Sequence, residues 1–202
     1  MKLLVCISKV PDTTSKINFV DNNTKFDENG VQYIVNPYDE WYALVRALEL
    51  VEAQGGSVTT ITVGSASDDP TIRKALAIGA NDAVRIDADP SDPHFVAKQI
   101  AEYAKNENYD IILTGKETIN YNGSQIGGMI AEMLNTPFVS LATKLEVNNN
   151  VATLERDVKG GVEVVEVNTP FVLSAAKGMA EQRIPNMLSL IHISEPTRLR
   201  SI

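Results

Sequence analysis

Residues 110–135 read "DIILTGKETINYNGSQIGGMIAEMLN". "DIILTG" is a short β-rich apolar run and predicts a strand. "SQIGGMIAEMLN" has helical spacing and predicts a helix. The turn between them is rich in glycine, amides and hydroxyls and carries one lysine. A strand that gives way to a helix through such a turn is half of a βαβ unit. The question is whether the unit recurs.

It does recur upstream. "KLLVCIS" (2–8) suits a strand buried on both faces. "NPYDE" (36–40) opens a helix, with Asn36 as a candidate cap, Pro37 suited to the first position, and Asp39 and Glu40 favouring its positive end. Trp41, Leu44, Val45, Leu48 and Val51 follow at helical spacing. "SVTTITVG" (57–64) and "AVRIDAD" (83–89) predict strands. "DDPTIRKALAIGAN" (68–81) and "DPHFVAKQIAEYAKNEN" (92–108) predict helices. "KVPDTTSK" reads as a loop, and "INFVDNNTKFDENGVQYIV" as a hairpin excursion. From Pro137 the period changes, and four strand-like runs follow with "NNN" and "KGG" as turns.

This alternation predicts an α/β fold: a mainly parallel, doubly wound, Rossmann-like sheet with a β-rich C-terminal extension. The ligand of such a sheet sits beyond the carboxyl ends of the strands, where strand order reverses. Loops 9–14, 64–70 and 115–124 leave strand ends there.

Composition narrows the function. The chain has 202 residues and a formal net charge of −8. That balance argues against nucleic acid and anionic membranes as partners. No apolar run is long enough to span a bilayer, so direct membrane insertion is not expected. "MKLLVCIS" reads as a strand and not as a signal peptide. One cysteine, Cys6, fits a reducing compartment, and the expected location is cytoplasmic. His94 and His192 stand apart without ligand spacing, so no metal site is expected. Ser124 has no histidine base, Gly115-Lys116 lacks the upstream glycine of a P-loop, and "GSQIGG" lacks the G-x-G-x-x-G order. No catalytic residues emerge, which favours a binding or carrier role.

The quoted turn suits one phosphate. Gly115 and Gly123 permit close backbone approach, and Asn120, Asn122, Ser124 and Gln125 offer donors. The helix beginning near Ser124 directs unpaired N–H groups at the turn. An ordinary turn with a serine cap is the bland alternative.

"LLVCISKVPDT", "NPYDE", "TIRKALAIGAND", "GKETINYNGSQIGG", "LERDVKGGVEVVEVNTPFVLS" and "RIPNM" occur in this order. Together they resemble the beta subunit of electron transfer flavoprotein, from Met1 to about Ser189. The family's signature near the C-terminus is matched by Arg156, Gly160, Gly161, Glu163 and Pro170, whereas Lys159 stands where an acidic residue is usual.

The resemblance implies a non-enzymatic electron carrier that holds AMP structurally, with FAD held mainly by an alpha subunit. It implies electron donors such as acyl-CoA dehydrogenases and a membrane quinone oxidoreductase as acceptor. Cys6, Asn36, Pro37, Tyr38, Asp39 and Val63 would line the adenosine part. The phosphate would be wrapped by Gly115, Lys116, Glu117, Thr118, Ile119 and Asn120, and then by Tyr121, Asn122, Gly123, Ser124, Gln125 and Ile126. Val10 to Thr14 would approach the flavin ring, with Thr13 where an aromatic is often found. Ile184, Pro185, Asn186 and Met187 would dock on partner dehydrogenases, with Ile184 where leucine is usual. Residues 1–190 would form the family domain. The tail 191–202 does not match, and foreign sequence after a truncation or frame shift is the expected origin. Two other readings compete: a flavin-bifurcating relative with a second FAD in place of AMP, and a free-standing nucleotide-binding stress-type module.

Overall fold

The computed structural model describes residues 1–181, 183 and 199–201. Docking residues Ile184, Pro185, Asn186 and Met187 lie outside the described residues, as does most of the tail. In chain order the elements begin with β1 (Lys2–Cys6), β2 (Lys9–Pro11), β3 (Phe19–Val20), β4 (Lys25–Phe26) and β5 (Tyr33–Val35). Next come α1 (Asp39–Gln54), β6 (Ser57–Val63), a 3-10 turn (Ala66–Asp68), α2 (Asp69–Ile78) and β7 (Asp82–Ile86). Then follow α3 (Pro93–Ala104), β8 (Ile111–Gly115) and α4 (Ile126–Leu134). The strands β9 (Phe138–Asn148), β10 (Val151–Val158), β11 (Gly161–Asn168), β12 (Phe171–Ala175) and β13 (Leu199–Ser201) complete the fold.

Among the described residues, nine strands form one sheet in the order β11-β10-β9-β12-β8-β1-β6-β7-β13. From β9 through β12, β8, β1, β6 and β7 to β13 every neighbouring pair is parallel, while β9-β10 and β10-β11 are antiparallel. The β-rich extension therefore lengthens the same sheet and does not stand apart from it. β11 lies at the margin, with Val162 and Val164 exposed. In the tail, Leu199–Ser201 pairs beside β7, where the sequence predicts no strand. The outer edge of β7 offers backbone donors and acceptors, and ladder pairing needs no particular side chains.

The strand period of two sorts side chains onto two faces. Leu3, Val5 and Ile7 pack with α1 and α2 on one face, whereas Leu4 and Cys6 pack with α3 and α4 on the other. Ile111 and Leu113 of β8 join the first cluster and Ile112 the second. Burial on both faces is why these strands read as continuous apolar runs. Helix α1 is covered further by the extension. Arg46 donates from Nε (3.0 Å) and Nη2 (2.6 Å) to the Leu145 carbonyl, and Gln54 donates to that of Val147 at 2.8 Å.

The segment after β1 differs in detail from its sequence reading. Lys9–Pro11 is a short strand paired antiparallel with Tyr33–Val35, where the sequence suggests a loop. Pro11 is tolerated because it ends an edge strand. The excursion does form a hairpin, β3 with β4, across which Phe19 and Phe26 meet edge to face at 6.4 Å.

Candidate functional site

The site follows from the topology. The chain builds β6 and β7 outward on one side of β1, then returns to add β8 and β12 on the other. Strand order thus reverses between β1 and β8, and a crevice must open beyond their carboxyl ends. A cleft of about 330 Å³ lies there. Its apolar wall is Cys6, Ile61, Val63, Val96 and Ile100. Opposite stand Gly115 to Thr118, Asn120, Tyr121 and Gly123 to Ile126. An apolar slot faced by convergent polar groups is the usual form of a small-molecule site.

Close packing sets the floor. A Cβ built on Gly115 would lie 2.7 Å from Cγ and 3.0 Å from the backbone nitrogen of Glu40, and 3.1 Å from Cβ of Asp39. Glycine here lets the end of β8 press against the first turn of α1. Gly123, by contrast, faces open space. Asn36, fully buried, then ties the loop down. Its Nδ2 donates to the Glu117 carbonyl at 2.9 Å, and its Oδ1 accepts from the Ile119 N–H at 3.4 Å. The Glu117 N–H donates to Asp39 Oδ2 at 3.3 Å.

Two candidate caps, Asn36 and the alternative reading of Ser124, do not form. Asn36 does not cap α1, whose N-cap is Tyr38 without a side-chain bond. Its side chain is taken by the loop 81 residues away. Ser124 does not cap α4 either; the N-cap is Gln125, again without a side-chain bond. Ser124 stands at φ 50° with its Oγ donating to Glu117 Oε2 at 3.3 Å. Asn122 shares the left-handed region at φ 50°. Asparagine tolerates that region better than serine, so mild strain is stored at Ser124. The first turn of α4 keeps its N–H groups and partial positive charge directed into the loop.

Charge is closely matched around the cleft. Lys9 Nζ pairs with Asp68 Oδ1 at 2.9 Å, and Lys116 Nζ with Glu117 Oε1 at 2.8 Å. Glu40 is buried and accepts the Ser8 N–H at 2.7 Å and its Oγ–H at 2.8 Å. Burial pushes its carboxyl up to about 7, against the pull of the Ser8 bonds and with the help of nearby Asp39. Burial likewise raises Asp39, with Lys116 opposing. Burial, and then Glu40, drive the Cys6 thiol well above its ordinary value, so it serves as apolar wall and not as nucleophile.

These donors and surfaces fit a nucleoside monophosphate. The apolar wall suits a flat base, and the helix terminus, amides and hydroxyl suit one anion. Of the residues singled out in the sequence, Cys6, Val63, Gly115 to Thr118, Asn120, Tyr121 and Gly123 to Ile126 line the cleft. Asn36, Pro37, Tyr38, Asp39, Ile119 and Asn122 are not among the lining residues; Asn36 and Asp39 hold the loop from behind.

Sequence reasoning missed Ser8, Glu40, Asp68, Pro90 and Ser91 ahead of α3, and the α3 wall of Pro93, Val96 and Ile100. For Pro90 and Ser91 the signal was available, because β7 also ends at this edge and its loop leads into α3. Among the described residues no helix is long and apolar enough to cross a membrane.

Residues 23–189 match the model of the electron transfer flavoprotein domain. The chain belongs to the electron transfer flavoprotein beta-subunit family. It is 36% identical over 191 residues to electron transfer flavoprotein subunit beta of Bacillus subtilis (strain 168), covering 93% of this chain and 73% of that one. It is 35% identical over 194 residues to the protein of that name in Syntrophomonas wolfei, covering 95% and 75%. The mitochondrial subunit beta of Oryza sativa subsp. indica is 34% identical over 197 residues, with coverage of 93% and 78%. Family membership places the chain among electron-transfer proteins.

Proposed function

We propose that this chain is the nucleotide-holding half of a heterodimeric electron transfer flavoprotein, binding AMP as a structural ligand. The observation that carries this reading is the cleft at the β1-β8 reversal, closed by a loop that runs into an uncapped helix. The adenine packs against Cys6, Val63 and the α3 wall. The phosphate takes the N–H groups of the 115–126 loop and the Ser124 hydroxyl. Asn36 and Asp39 hold that loop in place. AMP does no redox chemistry, and FAD held mainly by the alpha subunit supplies it. Acyl-CoA dehydrogenases and similar flavin dehydrogenases deliver electrons, docking at Ile184 to Met187, and a membrane quinone oxidoreductase receives them.

The test is direct. Co-express the chain with an alpha subunit, denature the purified complex and identify the released small molecules by mass spectrometry. One FAD with one AMP is the expected result. Two FAD and no AMP would establish the bifurcating arrangement instead. No nucleotide on this chain and no alpha subunit retained would overturn the proposal.

A further inference from the structure

We infer that Glu117 determines which phosphates this cleft accepts, because its carboxylate competes with the ligand for the Ser124 hydroxyl. The inference rests on the nucleotide reading of the cleft and adds a selectivity to it. Glu117 leaves the loop on its β8 side, yet its Oε2 accepts the Ser124 hydroxyl at 3.3 Å on the α4 side. An anionic side chain thus spans the loop toward the donors best suited to a phosphate. Its other oxygen pairs with Lys116 at 2.8 Å. The backbone beneath is fixed by Asn36 and Asp39, so the side chain moves while its anchor stays.

Among the described residues, the lysines lining the cleft are Lys9 and Lys116, beside the carboxyl groups of Glu40, Asp68 and Glu117. Each lysine already has a carboxylate, and Lys9 is held further by Ser67 at 2.9 Å and by the Tyr33 ring at 4.2 Å. One phosphate can displace Glu117 from Ser124 and take over Lys116. A second phosphate would meet displaced Glu117 with no further cation among the described lining residues. Glu117 is therefore a specificity-determining residue that favours a monophosphate over a diphosphate.

Glu117→Gln removes the charge and keeps the size. Removing one like charge from beside a partly solvated phosphate corresponds to roughly tenfold in affinity. Titrate the full chain, freed of nucleotide, with adenosine, AMP and ADP by calorimetry, and repeat with the variant. The variant should bind AMP on the order of tenfold more tightly, gain more for ADP, and leave adenosine unchanged. Unchanged AMP affinity, or an equal gain for adenosine, would overturn the role of Glu117 and leave the nucleotide reading standing. Failure of the unaltered chain to bind any of the three would overturn both.

Discussion

At the scale of single residues, Gly115 and Glu40 act on the same contact from opposite sides. Gly115 is needed for space and not for conformation, since its φ lies outside the left-handed region. Gly115→Ala should destabilise the fold by about 1–3 kcal/mol through overpacking against α1. Gly123→Ala, with nothing within 4 Å of the added methyl, should change stability by no more than about 0.5 kcal/mol. Thermal melting of the two variants side by side checks the contrast. Glu40 carries a pH signature. Its carboxyl titrates near 7 in the fold against 4.5 as a free side chain. The folded chain therefore holds a proton that the unfolded chain has lost, and this contribution to stability is full below the free value. It is lost as pH rises through 7. The total is on the order of 3 kcal/mol. Melting temperatures of the unaltered chain and of Glu40→Gln, measured from pH 5.5 to 8, should diverge in slope. The unaltered chain should lose stability relative to the variant as pH rises; parallel curves would show that Glu40 is not perturbed.

At the scale of elements, local signals and distant partners part company. Pro37 falls two residues before the first helical position it is expected to fill, whereas Asp39 and Glu40 mark the first turn of α1 correctly, because the helix dipole acts within a few residues. Asn36 misleads for the same reason. By local chemistry it is a cap, and only the tertiary fold presents it with the Glu117 carbonyl and the Ile119 N–H. Ser124 misleads likewise, being turned away from α4 and toward Glu117. Glycine, amide and hydroxyl content was enough to mark 115–124 as a loop built around donors, but not to show what holds it or that α4 starts only at Ile126. Asn36→Ala should strand a carbonyl and an amide, costing about 1–3 kcal/mol. Amide exchange at Ile119 and protease cutting between 117 and 124 should both accelerate, while exchange in β1 and β6 stays slow. Unchanged exchange at Ile119 would show that the loop is held by other contacts.

At the scale of the molecule, strand-helix alternation was legible because each strand is buried on both faces and each helix on one. Strand order was not. Nothing local says that β12 inserts between β8 and β9, leaving the β10-β11 hairpin to run out to the margin. Three loops at one sheet edge were legible; the α3 wall was not, because Val96 and Ile100 carry the same helical apolar spacing as ordinary core residues. The margin at β11 also bears on handling. An open ladder flanked by exposed Val162 and Val164 is the geometry from which sheets grow between molecules. Glu163 and Glu166 on that strand, and the net charge of −8, resist such growth at neutral pH. Toward the isoelectric point, near 4.8, this repulsion fades just as protonation of Glu40 favours the folded chain. Acidification thus moves the Glu40 contribution to folding and the colloidal stability in opposite directions, and a mildly acidic stock should turn cloudy before Glu40 costs the fold any stability.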